Sequence, residues 1–132
     1  MNFVSIRIIT DDVKRLVDFY AQVTGATPAW ATDQFAEIVT ASGTLAVAHS
    51  DTIALFGAGA AHAADNHSVI VEFRVADVDR CYDTVRSLGA EVVVEPTTQP
   101  WGNRSLLFRD PDGNLVNFFT PVTAEAIRRQ AR

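Results

Sequence analysis

The side chains best able to do chemistry are few. His49, His62, His67 and Glu72 are the donor types that hold a divalent metal, which needs imidazole nitrogens or carboxylate oxygens converging on one point. Their spacing matches no dense ligand motif, and His62 stands in an alanine-rich stretch, so three surface or internally satisfied histidines are expected. Cys81 would be a nucleophile only as a thiolate in an accessible, electropositive place. It falls at the helical spacing of Val78 and Val85 and is expected to be a buried, inert thiol. Glu72 is a weak candidate general base, since a carboxylate moved into apolar surroundings becomes a better proton acceptor. Trp30 and Trp101 offer flat faces that add about 0.5–1.5 kcal/mol to a stacked aromatic ligand beyond area burial. Packing in a core or an interface is the competing role for both. No Gly-rich phosphate loop, nucleophile elbow or Ser/His/Asp order occurs.

The elements that must position these residues follow from periodicity. Phe3 to Ile9 is β-branched and apolar and predicts a strand. Thr10-Asp11-Asp12 supplies capping oxygens, and Val13, Leu16, Phe19, Tyr20 and Val23 then recur at three- and four-residue spacing as one buried helix face. Gly25 is the expected stop. Strands are predicted at 27–31, 35–41 and 44–49, with Ser42-Gly43 as the last turn. Residues 50–66 are small and weakly patterned, a linker with room for a helical turn. The pattern then restarts. Ser68 to Val75 is a strand, Asp77 caps a helix with Val78, Cys81, Val85 and Leu88 inward, and Gly89 ends it. Strands at 91–95, 103–109 and 114–120 complete the second copy, with Asp110-Pro111-Asp112-Gly113 as its last turn. The tail, from 122 onward, is expected to be a surface helix or a frayed end. The fold class is therefore α+β, two tandem βαβββ modules at 3–49 and 67–121 in one 132-residue domain.

Composition narrows the function. A net charge of -5 with scattered basic residues gives no footprint for nucleic acid. No apolar run approaches the roughly 20 residues of a membrane span, and the start, MNFVSIRIIT, lacks the parts of a signal peptide. The single cysteine fits a reducing compartment. A cytoplasmic protein is the expectation.

The tandem βαβββ plan resembles the vicinal oxygen chelate superfamily, the glyoxalase, bleomycin-resistance and dioxygenase group. The run from Arg104 through Asp110-Pro-Asp-Gly-Asn114 to Phe119 looks like that family's final hairpin, and Asp12 to Tyr20 resembles its first helix. The likeness covers about residues 3 to 121. It implies sheets curved around a cavity with the helices outside, and a homodimer as the expected assembly. It also implies, for catalytic members, a divalent metal held by His, Gln or Glu from the first and last strands of each module.

Counting from Asp12, Asp77, Gly43 and Gly113 places those four positions at Ser5, Ile70, Val47 and Asn117, with an error of one residue possible at Val47. Two are hydrocarbons, and serine and asparagine are weak donors for a transition metal. No metal and no cofactor are therefore expected. The resemblance then points to a binder of a small, partly aromatic organic molecule, as in metal-free drug-sequestering members. The enzymatic alternative is a lyase, isomerase or dioxygenase with an atypical ligand set; a module that pairs with another protein is a third class. Strand alternation puts Arg7 on the face of Ser5, and Glu72 and Arg74 on the face of Ile70. Arg7, Glu72 and Asn117 would orient a ligand, or Arg7 and Glu72 would only pair as a salt bridge. His49 and Phe119 are assigned the face of Val47 and Asn117, and Trp101 the mouth of the cavity.

Overall fold

In a computed structural model that describes residues 1–131, the chain divides into two units, residues 1–66 and those from 67 onward. The first unit runs β1 (Ser5–Thr10), α1 (Val13–Thr24), β2 (Ala29–Thr32), β3 (Phe35–Val39), β4 (Thr44–His49) and a 3-10 helix, α2 (Ser50–Leu55). The second runs β5 (Ile70–Arg74), α3 (Val78–Ser87), β6 (Val92–Thr98), β7 (Asn103–Arg109), β8 (Leu115–Pro121) and α4 (Ala124–Gln130). Each unit is thus one βαβββ copy followed by a short helix.

The sheets repeat one topology. Their orders are β1-β4-β3-β2 and β5-β8-β7-β6, with the first strand parallel to the last and the others antiparallel. A helix must carry the chain between parallel neighbours, and here α1 or α3 begins that crossover. Asp12 caps α1 by accepting from the Arg15 N–H, and Gly25 closes it at φ +73°. Asp77 caps α3 by accepting from the N–H groups of Asp79 and Arg80. The buried side of α1, Val13, Leu16, Val17, Phe19, Tyr20 and Val23, lies against β3 and β4. Ile38, Ala36, Leu45 and Val47, all buried, share the sheet face beneath it. In the second unit Val71, Leu106, Phe108, Val116 and Phe118 form the corresponding face under Val78 and Val85. The Phe118 ring there meets Phe73 and Phe108 edge-on, at centroid distances of 5.5 and 5.0 Å.

Element limits differ from expectation in instructive places. β6 runs through Pro96 to Thr98 rather than ending at Glu95. It is an edge strand with shifted register on both sides of Val94, so proline's missing N–H removes no required ladder bond. The alanine-rich segment after β4 begins with α2, whose Ile53 packs on Ile9 and Ala48 with Phe35 beside them. The tail forms α4, capped by the Thr123 hydroxyl and anchored by fully buried Ala126.

Candidate functional site

Each sheet has one face under its long helix and one face turned away from it. In the first unit the away face carries Ser5, Arg7 and Ile9, with Thr44, Ala46 and Ala48 directly beside them on β4. In the second it carries Ile70, Glu72 and Arg74, with Leu115, Asn117 and Phe119 beside them on β8. Ser5 and Arg7 therefore share a surface, as do Ile70, Glu72, Asn117 and Phe119.

Val47 and His49 do not belong with them. Val47 pairs with Ile8 and Ala36 and is fully buried on the α1 side, and His49 pairs with Thr10 on that same parity. The turns explain the correction. Four residues, 40–43, separate the paired Val39 and Thr44, whereas five, 110–114, separate Arg109 and Leu115. The first hairpin is one residue shorter, so counting from its glycine overshoots by one, and a one-residue slip reverses the face. The repeat partner of Asn117 is Ala46. Trp30 likewise pairs with Ala36 and takes the α1 side of edge strand β2, at 44% exposure, away from Arg7. Trp101 lies in the β6–β7 connection, 57% exposed, and its carbonyl accepts from the Arg129 guanidinium.

Local partners define what each polar group can do. The Asn117 side-chain amide donates to Glu72 Oε2 at 2.8 Å. This orientation is the required one, since the flipped amide would set oxygen against carboxylate. Asn117 Oδ1 is buried and without a partner. The Glu72 side chain is exposed within its unit. Arg7 is exposed too, with its guanidinium carbon 4.9 Å from the Phe35 ring centroid and 5.2 Å from that of Phe56. Neither phenylalanine was singled out in the sequence. Phe56 had a signal, as the one phenylalanine in the weakly patterned segment 50–66.

The histidines have separate situations. His49 Nδ1 accepts from the Asp51 N–H at 3.0 Å and so caps α2. His62 lines a surface cleft of about 550 Å³ with Asp11, Ser50, Asp51 and Ile53, well described as the groove between the start of α1 and the segment after β4. His67 is exposed at the start of the second unit. Among the described residues no group of three His, Cys, Asp or Glu side chains is placed to hold a metal ion. At the positions that the sequence resemblance assigns to metal ligands, with the register correction on β4, the first unit has Ser5 and Ala46 and the second Ile70 and Asn117. A hydroxyl, a methyl, a hydrocarbon and a neutral amide do not fit a divalent transition metal. Cys81 is half-buried rather than buried, and desolvation, with a smaller contribution from Asp77, pushes its thiol up from its ordinary value, away from the thiolate a nucleophile needs.

Two sheets of four strands, each with a βαβββ order and mixed pairing, define the architecture of the glyoxalase fold. A profile of the Glyoxalase/Bleomycin resistance protein/Dioxygenase superfamily matches residues 2–118, and the chain belongs to that family. Among curated proteins it is similar to the uncharacterized protein YraH of Bacillus subtilis (strain 168), 25% identical over 125 residues, covering 90% of this chain and 98% of that one. Among solved structures it resembles a glyoxalase/bleomycin resistance protein/dioxygenase family enzyme from Burkholderia phytofirmans PsJN. That match has a TM-score of 0.82 at 16% identity and covers 92% of this chain and all of the other. A glyoxalase/bleomycin resistance protein/dioxygenase from Nocardioides matches with a TM-score of 0.74 at 22% identity, over 94% and 85% of the two chains. At these identities the structural likeness speaks to the fold alone.

Proposed function

We propose that the protein binds a small, partly aromatic organic molecule and does so without the divalent metal used by catalytic members of its family. The donor set supports this reading: Ser5, Ala46, Ile70 and Asn117 lie on the away faces, stand at the positions that the family resemblance gives to the metal ligands, and are poor donors for a transition metal. Polar groups that remain on the away faces are of the kind that orient a ligand. Arg7 in the first unit, and the Glu72–Asn117 pair with its unpartnered amide oxygen in the second, provide charge, donors and acceptors beside apolar Ile70 and Phe119. Sites for small molecules combine apolar surface with a few such groups. Ser5 and Trp101 are further candidates for contact, and a homodimer is the proposed assembly.

Calorimetric titration of chelator-stripped protein with nickel, cobalt, zinc, manganese and freshly reduced iron tests the reading. The expected result is no saturable heat. Stoichiometric binding would assign the protein to the metal-dependent lyases, isomerases or dioxygenases of the family, with Asn117 Oδ1 as the first ligand to examine. Binding would also raise thermal stability, by about 2.7 kcal/mol at a metal concentration one hundred times the dissociation constant.

A further inference from the structure

Arg7 and Glu72 occupy equivalent places in the two repeats, five residues before Asp12 and five before Asp77. Their surroundings differ. Glu72 has Asn117 beside it on the neighbouring strand and accepts its hydrogen bond at 2.8 Å. Arg7 has Ala46 in that position, and a methyl group cannot answer a charge. Glu37 lies on the same face beyond Ala46, a further strand away, which is roughly 9–10 Å at ordinary strand spacing. Within its unit, no acceptor among the described residues takes a hydrogen bond from the Arg7 guanidinium. What holds the side chain instead is aromatic: Phe35 from β3 and Phe56 from the end of α2 both lie close to the guanidinium carbon. An aromatic ring accepts no conventional hydrogen bond, so these contacts leave guanidinium N–H donors available to a ligand.

Resting on the small-molecule reading above, we propose that Arg7 is an anion anchor that selects a planar aromatic monocarboxylate. The guanidinium edge matches a carboxylate in a two-point hydrogen bond. Phe56, 68% exposed, offers its ring to the aromatic body of the same ligand. Both phenylalanines restrict the long arginine side chain before the ligand arrives, so less rotamer freedom is lost on binding. Glu37, on the far side of Ala46, disfavours a second anionic group on the ligand.

The test uses the full chain and two probes with one ring system, 2-naphthoate and 2-naphthamide, titrated calorimetrically. Wild type is expected to bind the carboxylate at least about tenfold more tightly than the amide, the scale of one charge-assisted pair. Arg7→Gln is expected to erase that preference by weakening naphthoate far more than naphthamide. Phe56→Ala should weaken naphthoate several-fold while the melting temperature stays close to wild type, because the ring is exposed. Equal binding of the two probes by wild type, or a preference that survives Arg7→Gln, would overturn the anchor while leaving the small-molecule reading intact. A large fall in melting temperature for Arg7→Gln with the preference retained would assign Arg7 to holding α2 and also overturn it. Failure of both probes to bind at millimolar concentration rejects the proposed ligand class. Saturable metal binding is the separate outcome that rejects the metal-free reading.

Discussion

The Asp110 carboxylate accepts from the backbone N–H groups of Asp112 and Asn114, at 2.9 and 3.0 Å, and from the Asn114 side chain at 2.8 Å. It is 5% exposed and Asn114 only 2%. The turn that marks the family in sequence is therefore a buried polar knot, closed by Gly113 donating to the Asp110 carbonyl and by Gly113 at φ +84°. Asp110→Ala would leave buried donors without acceptors, each costing about 1–3 kcal/mol. A loss of about 2–4 kcal/mol in urea unfolding is expected. Asp110→Asn should lose less, since one amide oxygen remains to accept. At the same scale, the difference between Asn117 and Ala46 decides which repeat has a paired charge and which has a free one.

Among the elements, the two short helices matter more than their length suggests. α4 rests on the turn at Gly102, whose carbonyl accepts from the Val122 and Thr123 N–H groups. A Cβ at Gly102 would meet the Thr123 hydroxyl oxygen at 2.1 Å and Ala126 Cβ at 2.9 Å, and the backbone there has φ +94°. Gly102→Ala is expected to cost at least about 2 kcal/mol, from strain and from displacing the α4 cap. Loss of helical ellipticity and increased proteolysis after residue 121 would locate the damage. The long helix α3 is tied to β7 by Arg104, which donates twice to the Asp79 carboxylate at 2.9 Å. The Arg104 hydrogen bond is the leading reason that the Asp79 carboxyl is held below its ordinary 3.8. A carboxyl with a depressed folded value stabilises above its ordinary value and loses that contribution as pH falls through the folded one. Asp79→Asn should therefore lower the melting temperature modestly at pH 7, with the gap to wild type closing below pH 3.8. Salt should shrink the gap as well, because the pair is solvent-exposed.

For the molecule as a whole, the repeated plan is the central fact. Two units, each with its own sheet, long helix and trailing short helix, come from one pattern written twice. Among the described residues, no helix is long and apolar enough to cross a membrane. The proposed homodimer predicts a scattering mass of twice 14.4 kDa that persists after treatment with chelator. A mass of 14.4 kDa at micromolar concentration would reject it.

Periodicity and capping were enough to define the eight strands and two long helices and their order. Val13 to Val23 could only bury one stripe as a helix, Asp12 and Asp77 could only serve as caps where they stand, and the repeat made the βαβββ plan visible. β4 and β7 even have the expected limits, because turn residues bound them on one side and an abrupt loss of apolar pattern on the other. Four outcomes needed the tertiary structure. Register moved Val47 and His49 to the helix side, since a one-residue difference in turn length leaves no trace in hydropathy yet reverses every side chain after it. Pairing of Trp30 with Ala36 set that ring on the α1 side in the same way. α2 and α4 fall where the sequence left a helical turn and a surface helix as options, and burial of Ile53 and Ala126 on sheets already built decides for helix. The aromatic setting of Arg7 joins residues from β1, β3 and α2, and contacts that distant in sequence exist only once the chain has folded.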